Sequence, residues 1–141
     1  MRSEVFLDTA FALALANVND LLHVRAVILA DQLEAQTARL ITSRPVLLEI
    51  GNSLAKLRYR SAATRILTSL EADPSVKIIA LTDELYHDAL YLYSERSDKE
   101  WGLVDCVSFI IMQERGITEA LTPDRHFEQA GFRALLCQDE A

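Results

Sequence analysis

The amino-acid sequence predicts an α/β fold in which a central parallel sheet is covered by helices on both faces. Three observations predict it. Short runs of apolar, β-branched and aromatic residues alternate with longer segments whose apolar residues return at helical spacing. Strands separated by helices pair in parallel through crossovers, and those helices then cover the sheet. The chain of 141 residues has only four glycines and three prolines, with no Ser/Gly/Pro-rich linker and no internal repeat, so a single domain over 1–141 accounts for it.

The first strand is EVFLD, Glu4 to Asp8, a β-branched and aromatic run that ends on an acid. AFALALAN reads as a short helix. Asn19 is placed to cap DLLHVRAVILADQLEAQ, in which Leu22, Ala26, Leu29 and Leu33 recur on one face. ARLIT supplies a second strand. Pro45 marks the entry of PVLLEIGNSLAKLRYR, because its fixed φ and missing N–H suit a first helical turn, and SAATRILTSLEA continues as helix. VKIIAL is a buried strand, followed by the helix TDELYHDALYLYSER with Thr82 as its cap. LVDCVSFIIMQERG is a helix ended by Gly116, and TEALT and RALLC are the last strands.

Charge and cysteine content narrow the function. Lys and Arg number 14 against 21 Asp and Glu, a formal net charge of −7. Sequence-independent affinity for nucleic acid comes from Lys and Arg on phosphates, so any nucleic-acid reading has to account for this acidity. Cys106 and Cys137, far apart, make no disulfide framework and read as reduced thiols of a cytoplasmic protein. The N-terminal segment faintly resembles a signal peptide. Glu4 and Asp8 interrupt it, however, and the apolar run after Asp8 is shorter than the roughly 20 residues that span a bilayer, so no membrane association is expected.

In parallel α/β sheets, ligands bind outside the carboxyl ends of the strands. Asp8 ends the first strand and Asp124 follows ALT, so both belong to that edge. Glu49 lies in VLLEIGNSL, off the stripe of Leu47, Ile50, Leu54 and Leu57, on a face shared with Asn52 or Ser53, Lys56 and Arg60. Asp105 lies in LVDCVSFIIM, where only it and Ser108 are polar, and in a first helical turn whose dipole favours an anion. A carboxylate among apolar residues is expensive to desolvate unless it pairs or coordinates. No Lys or Arg is an evident partner for all four acids, and carboxylates clustered without cations suit a hard divalent ion such as Mg²⁺ or Mn²⁺. Taken singly, each acid also reads as a helix cap or half of a surface ion pair.

FLDTA with Asp8 and Thr9, LLEIGNSL with Glu49 and Asn52, DKEWGLVDCVSFIIMQERGI with Asp105, and ALTPDRHFEQAGFRAL with Asp124 follow in an order and spacing that resemble PIN-domain proteins. The closest likeness is to toxin ribonucleases of the VapC type. It covers nearly the whole chain, and the last two segments are its most specific part. The resemblance implies a three-layer α/β/α sandwich, Mg²⁺ or Mn²⁺ held by Asp8, Glu49, Asp105 and Asp124, and cleavage of RNA phosphodiester bonds. It also implies a small antitoxin whose tail presents Arg to the acidic pocket. Thr9, Asn52, Ser108 and Thr122 are the expected supporting groups. The family often carries Ser or Thr beside the third acid, whereas Gly102 and Val104 stand here, leaving Ser108 one turn on as a substitute hydroxyl.

The mechanism these residues imply is metal-assisted hydrolysis, with bound ions lowering the pKa of a water and neutralising the phosphate. KLRYR continues the Glu49 helix, so Lys56 and Arg60 are expected to guide the RNA backbone and Tyr59 to stack on a base, against the alternative of an ordinary solvated face. HVRAVILADQLEAQ offers a surface for the antitoxin or a homodimer, with core packing as the simpler role. His126, alone beside Phe127, reads as packing or surface rather than a phosphate contact, and Cys106 as core. Two rivals compete. A haloacid-dehalogenase-type phosphatase needs a second Asp two residues after the strand-end Asp, where this chain has Ala10. A catalytically degenerate PIN domain acting as an RNA- or protein-binding scaffold is opposed by the presence of all four acids and left open by Gly102 and Val104.

Overall fold

The computed structural model of the protein describes residues 3–137. Strands β1 (Glu4–Leu7), β2 (Arg39–Ser43), β3 (Val76–Ile79), β4 (Glu119–Leu121) and β5 (Arg133–Ala134) form one sheet in the order β3-β2-β1-β4-β5, and every pairing is parallel. Phe6 at the centre registers with Ile41 on one side and Ala120 on the other. Helices α1 (Thr9–Ala16) and α2 (His23–Ala35) join β1 to β2, and α3 (Arg44–Ser53) and α4 (Leu57–Ala72) join β2 to β3. Helices α5 (Asp83–Glu95) and α6 (Leu103–Arg115) carry the chain back to β4, and α7 (Arg125–Gln129) leads to β5.

The first two crossovers step one way across the sheet and the last two step the other way. Because such crossovers are right-handed, α1 to α4 fall on one face and α5 to α7 on the other. The packing agrees: α1 lies against α2, α3 and α4, while α6 lies against α5 and α7. This is the three-layer α/β/α sandwich expected. Among the described residues, no helix is long and apolar enough to cross a membrane.

An aromatic cluster lies beneath the elements that carry the later acids. Phe109 of α6 and Phe127 of α7 meet edge to face with ring centroids 4.9 Å apart, and Trp101 stands on Phe109 at 5.0 Å. Gly116 and Gly131, at φ 67° and 97°, let the chain leave α6 and α7 through the left-handed region, where a side chain would be strained.

Two boundaries differ from expectation. Helix α2 starts at His23, not behind Asn19. Asn17 and Asp20 each accept the N–H two residues on, at 3.0 and 2.8 Å, and this turn chemistry holds the intervening segment out of the helix. Helices α3 and α4 are also separate. Gly51, Asn52 and Ser53 lower the helix propensity; Leu54 then leaves helical geometry (φ −112°, ψ 29°) and Lys56 is extended (φ −61°, ψ 147°). The Arg60 guanidinium takes up the Ala55 carbonyl at the break, donating from Nε (3.1 Å) and Nη2 (2.6 Å).

Candidate active site

The four acids reach the carboxyl edge of the sheet by separate routes. Asp8 follows β1 and occupies the N-cap position of α1, and its backbone N–H bonds the Leu121 carbonyl of β4. Thr122 and Asp124 follow β4, where Asp124 caps α7. The chain goes to β2 on one side of β1 and to β4 on the other, so the β1–β4 boundary is a topological switch point where connections part and leave a crevice. Helix α3 brings Glu49 and the first turn of α6 brings Asp105 from opposite layers, and the two helices meet at this end.

Each carboxylate has one oxygen fixed by a protein donor. Thr122 Oγ1 donates to Asp8 Oδ2 (2.9 Å), and Thr9 Oγ1 donates to Glu49 Oε1 (2.9 Å). The Gly102 N–H donates to Asp105 Oδ2 (3.1 Å), and the His126 N–H donates to Asp124 Oδ1 (2.8 Å). Buried Thr122 Oγ1 also accepts the Asp124 N–H (3.1 Å), so one hydroxyl ties together acids from two strands. Asp105 is thus oriented by a main-chain donor and needs no hydroxyl at 102 or 104.

The electrostatics follow from burial. Asp8 is 8% exposed, and loss of water pushes its carboxyl up to about 6, although Thr122 and the Thr9 backbone pull the other way. Burial also raises Glu49 and Asp105 above the ordinary carboxylate range. Asp105 is the electrostatic node: its charge raises Asp8 and Glu49, and Asp124 in turn raises Asp105. Among the described residues, no Lys or Arg forms an ion pair with any of the four.

His126, which the sequence alone reads as packing or surface, stands at this site. His126 Nδ1 lies 3.3 Å from Asp105 Oδ2 and 3.3 Å from Asp124 Oδ1, and the three side chains present ligand-type atoms within 4.8 Å of one another. The available signal was DRHF: a capping Asp that accepts the N–H two residues on draws that residue to its side. Other expectations move away from the site. The buried Ser108 hydroxyl donates back to the Val104 carbonyl at 3.1 Å, a bond within its own helix, and cannot stand in for a hydroxyl beside Asp105. Asn52 is exposed and makes no side-chain hydrogen bond to a described residue. The α3–α4 break removes the single helix face on which Lys56 and Arg60 were to accompany Glu49. Tyr59 carries the Arg58 guanidinium over its ring at 4.8 Å. Cys106 is buried in the core, with its thiol pushed up to about 11 by burial.

Thr122→Val keeps the shape but removes the hydroxyl that serves Asp8 and Asp124. Urea unfolding of the metal-free protein is expected to show a loss of about 1–3 kcal/mol, the cost of leaving buried polar groups unpaired. An unchanged midpoint would show that the hydroxyl does not hold the two acids.

A family model for the PIN domain matches residues 5–133. The chain belongs to the PIN-domain family. Within that family, this PIN domain is similar to the 23S rRNA-specific endonuclease VapC20 of Mycobacterium tuberculosis, in sequences from strains CDC 1551 / Oshkosh and ATCC 25618 / H37Rv. Identity is 29% over 135 residues, covering 91% of this chain and 95% of the relative. The crystal structure of M. tuberculosis VapC20, described as a Sarcin-Ricin loop cleaving toxin, matches with a TM-score of 0.79 at 29% identity and the same coverage of both chains. The PIN assignment removes the dehalogenase-type alternative.

Proposed function

We propose that this protein is a divalent-metal-dependent endoribonuclease and the toxin of a toxin–antitoxin pair. One observation carries the proposal: Asp105 and Asp124, with His126, present ligand atoms close enough to share an ion, Asp8 and Glu49 lie near enough to feel the Asp105 charge, and none of the four acids has a Lys or Arg partner among the described residues, in a PIN domain that resembles an rRNA endonuclease over nearly its full length. The donor set fits Mg²⁺ or Mn²⁺. A hard cation takes anionic oxygens, and its ligands act best when second hydrogen bonds orient them; each of Asp8, Glu49, Asp105 and Asp124 has such a bond.

A bound ion would supply the acidity that activates a water and the positive charge that neutralises the phosphate. The protein's own part is to tie Asp8 and the Asp124 backbone together through Thr122, to orient Glu49 through Thr9, and to orient Asp105 through the Gly102 N–H. Ionised, these acids would repel an RNA backbone, so binding of substrate depends on the ion. The same acidity suits a basic antitoxin segment, and the site of action would be the cytoplasm, where ribosomal RNA is found. Lys56 is exposed at the α3–α4 break and forms no ion pair with a described residue, which leaves it able to meet a phosphate. Lys56→Ala should then reduce the salt slope of RNA binding by about 0.7, one contact's share for a single strand. An unaltered slope would return Lys56 to the solvated surface.

Incubation with an RNA carrying a 23S rRNA hairpin should give discrete cleavage in Mn²⁺ and none in EDTA. Millimolar Mn²⁺ should raise the melting temperature, since ion saturating at 100 times its Kd adds about 2.7 kcal/mol to the folded state. A protein that melts higher with Mn²⁺ but leaves this and other structured RNAs intact would instead be a catalytically degenerate scaffold. A melt that does not move would remove the metal site itself.

A further inference from the structure

We propose that His126 is a nitrogen ligand of this site and that it tilts the site toward Mn²⁺ and away from Mg²⁺. The inference rests on the reading above only in placing a divalent ion at the carboxylates. Two ligand atoms held at about 2.0–2.2 Å from one ion and adjacent in its coordination sphere lie roughly 3.0–3.6 Å apart. His126 Nδ1 stands at 3.3 Å from Asp105 Oδ2 and at 3.3 Å from Asp124 Oδ1, which is that spacing on both sides.

The backbone that carries the ring is held there by the fold. The His126 N–H is fixed to Asp124 Oδ1 at 2.8 Å, and the next residue, Phe127, is fully buried against Phe109. Trp101 Nε1 donates to Gln129 Oε1 at 3.0 Å, tying the segment before Asp105 to the short helix that carries His126. The backbone positions of the imidazole and both carboxylates are therefore set by one packed unit, α6 with α7, and the ring stands within 3.3 Å of both acids.

The chemical consequence is selectivity. Mg²⁺ takes oxygen ligands and dehydrates reluctantly, whereas imidazole nitrogen suits first-row transition ions. A site of four carboxylates accepts either ion; one in which an imidazole displaces a water favours Mn²⁺. The competing role for His126 is a hydrogen-bonding bridge between two carboxylates that moves aside when an ion arrives. That role predicts no nitrogen on the metal and no effect on selectivity.

Electron spin-echo spectroscopy of the full chain loaded with Mn²⁺ separates them. Directly bound ¹⁴N should modulate the echo in the parent and vanish in His126→Gln. The signal can be assigned because the other two histidines are engaged away from the site, His23 with the Ala14 carbonyl at 2.7 Å and His87 against Tyr86. Titration calorimetry should show Mn²⁺ affinity falling on the order of 10-fold or more in His126→Gln, the scale seen when metal-site partners are removed, while Mg²⁺ affinity stays within error. His126→Asp, an all-oxygen variant, should bind the two ions alike. Mn²⁺ bound to the parent without ¹⁴N modulation overturns the proposal, as does equal weakening of both ions or no Mn²⁺ binding at all. RNA cleavage is a separate reading: nitrogen-bound Mn²⁺ in a protein that cuts no RNA keeps this inference and removes the nuclease, and cleavage with an all-oxygen ion does the reverse.

Discussion

Asp105→Asn should remove most of the RNA cleavage while leaving the metal-free protein at least as stable as the parent. Asp105 is raised above the ordinary carboxylate range first by burial and then by Asp124, so its ionised form opposes folding. An amide of the same shape removes that charge and relieves Asp8 and Glu49, both of which Asp105 repels. The amide oxygen can still accept the Gly102 N–H, so the helix start keeps its bond. A neutral amide is nonetheless a poor ligand for a hard cation. Cleavage should fall roughly 100-fold or more, at least the upper end of what an outer partner of a metal ligand is worth, and most of the Mn²⁺-induced rise in Tm should disappear. Stability and activity then move in opposite directions, as they do where charges are kept for function. Melts in EDTA and a cleavage assay on one purified variant decide it. A variant that melts lower and cuts RNA at the parental rate would make Asp105 a helix cap and nothing more.

Without metal, the protein should lose stability as the pH rises from about 4.5 to 7. Asp8 is raised from 3.8 to about 6 in the fold, mainly by burial. A carboxyl whose folded value lies above its unfolded one contributes stability in full below the unfolded value, and loses it as pH climbs through the folded value. The difference between 3.8 and about 6 corresponds to roughly 3 kcal/mol at completion. Below about 4.5 the trend is masked, because Glu4 is held low by Arg115 and its contribution disappears as it protonates. Saturating Mn²⁺ should reverse the slope, since a ligating carboxylate must first lose its proton and metal stabilisation therefore grows with pH. Melting curves in EDTA from pH 4.5 to 7, for the parent and for Asp8→Asn, test this. The parent's curve should fall and the variant's flatten; a flat parent would mean that Asp8 is not desolvated at β1's end.

The sequence by itself determined the features that are local. Alternation of short apolar runs with helical periodicity specifies a parallel sheet because strand and helix periods are properties of consecutive residues. Asp8 and Asp124 were legible as edge residues because the first ends a strand run and the second follows one closely, and Glu49 and Asp105 stood out because a carboxylate in an apolar helix calls for a desolvation partner. Only the tertiary structure decided what these residues meet. Thr122 reaches Asp8 across 114 residues of sequence and His126 reaches Asp105 across 21, distances over which no spacing rule operates. The same holds for the errors. Ser108 turns back to the Val104 carbonyl because its side of α6 faces the core, and α3 parts from α4 where the chain must turn back toward β3. Hydrophobic pattern sets which elements exist and which face they bury; the direction of a polar side chain is set by whichever partner the completed packing leaves within about 3 Å.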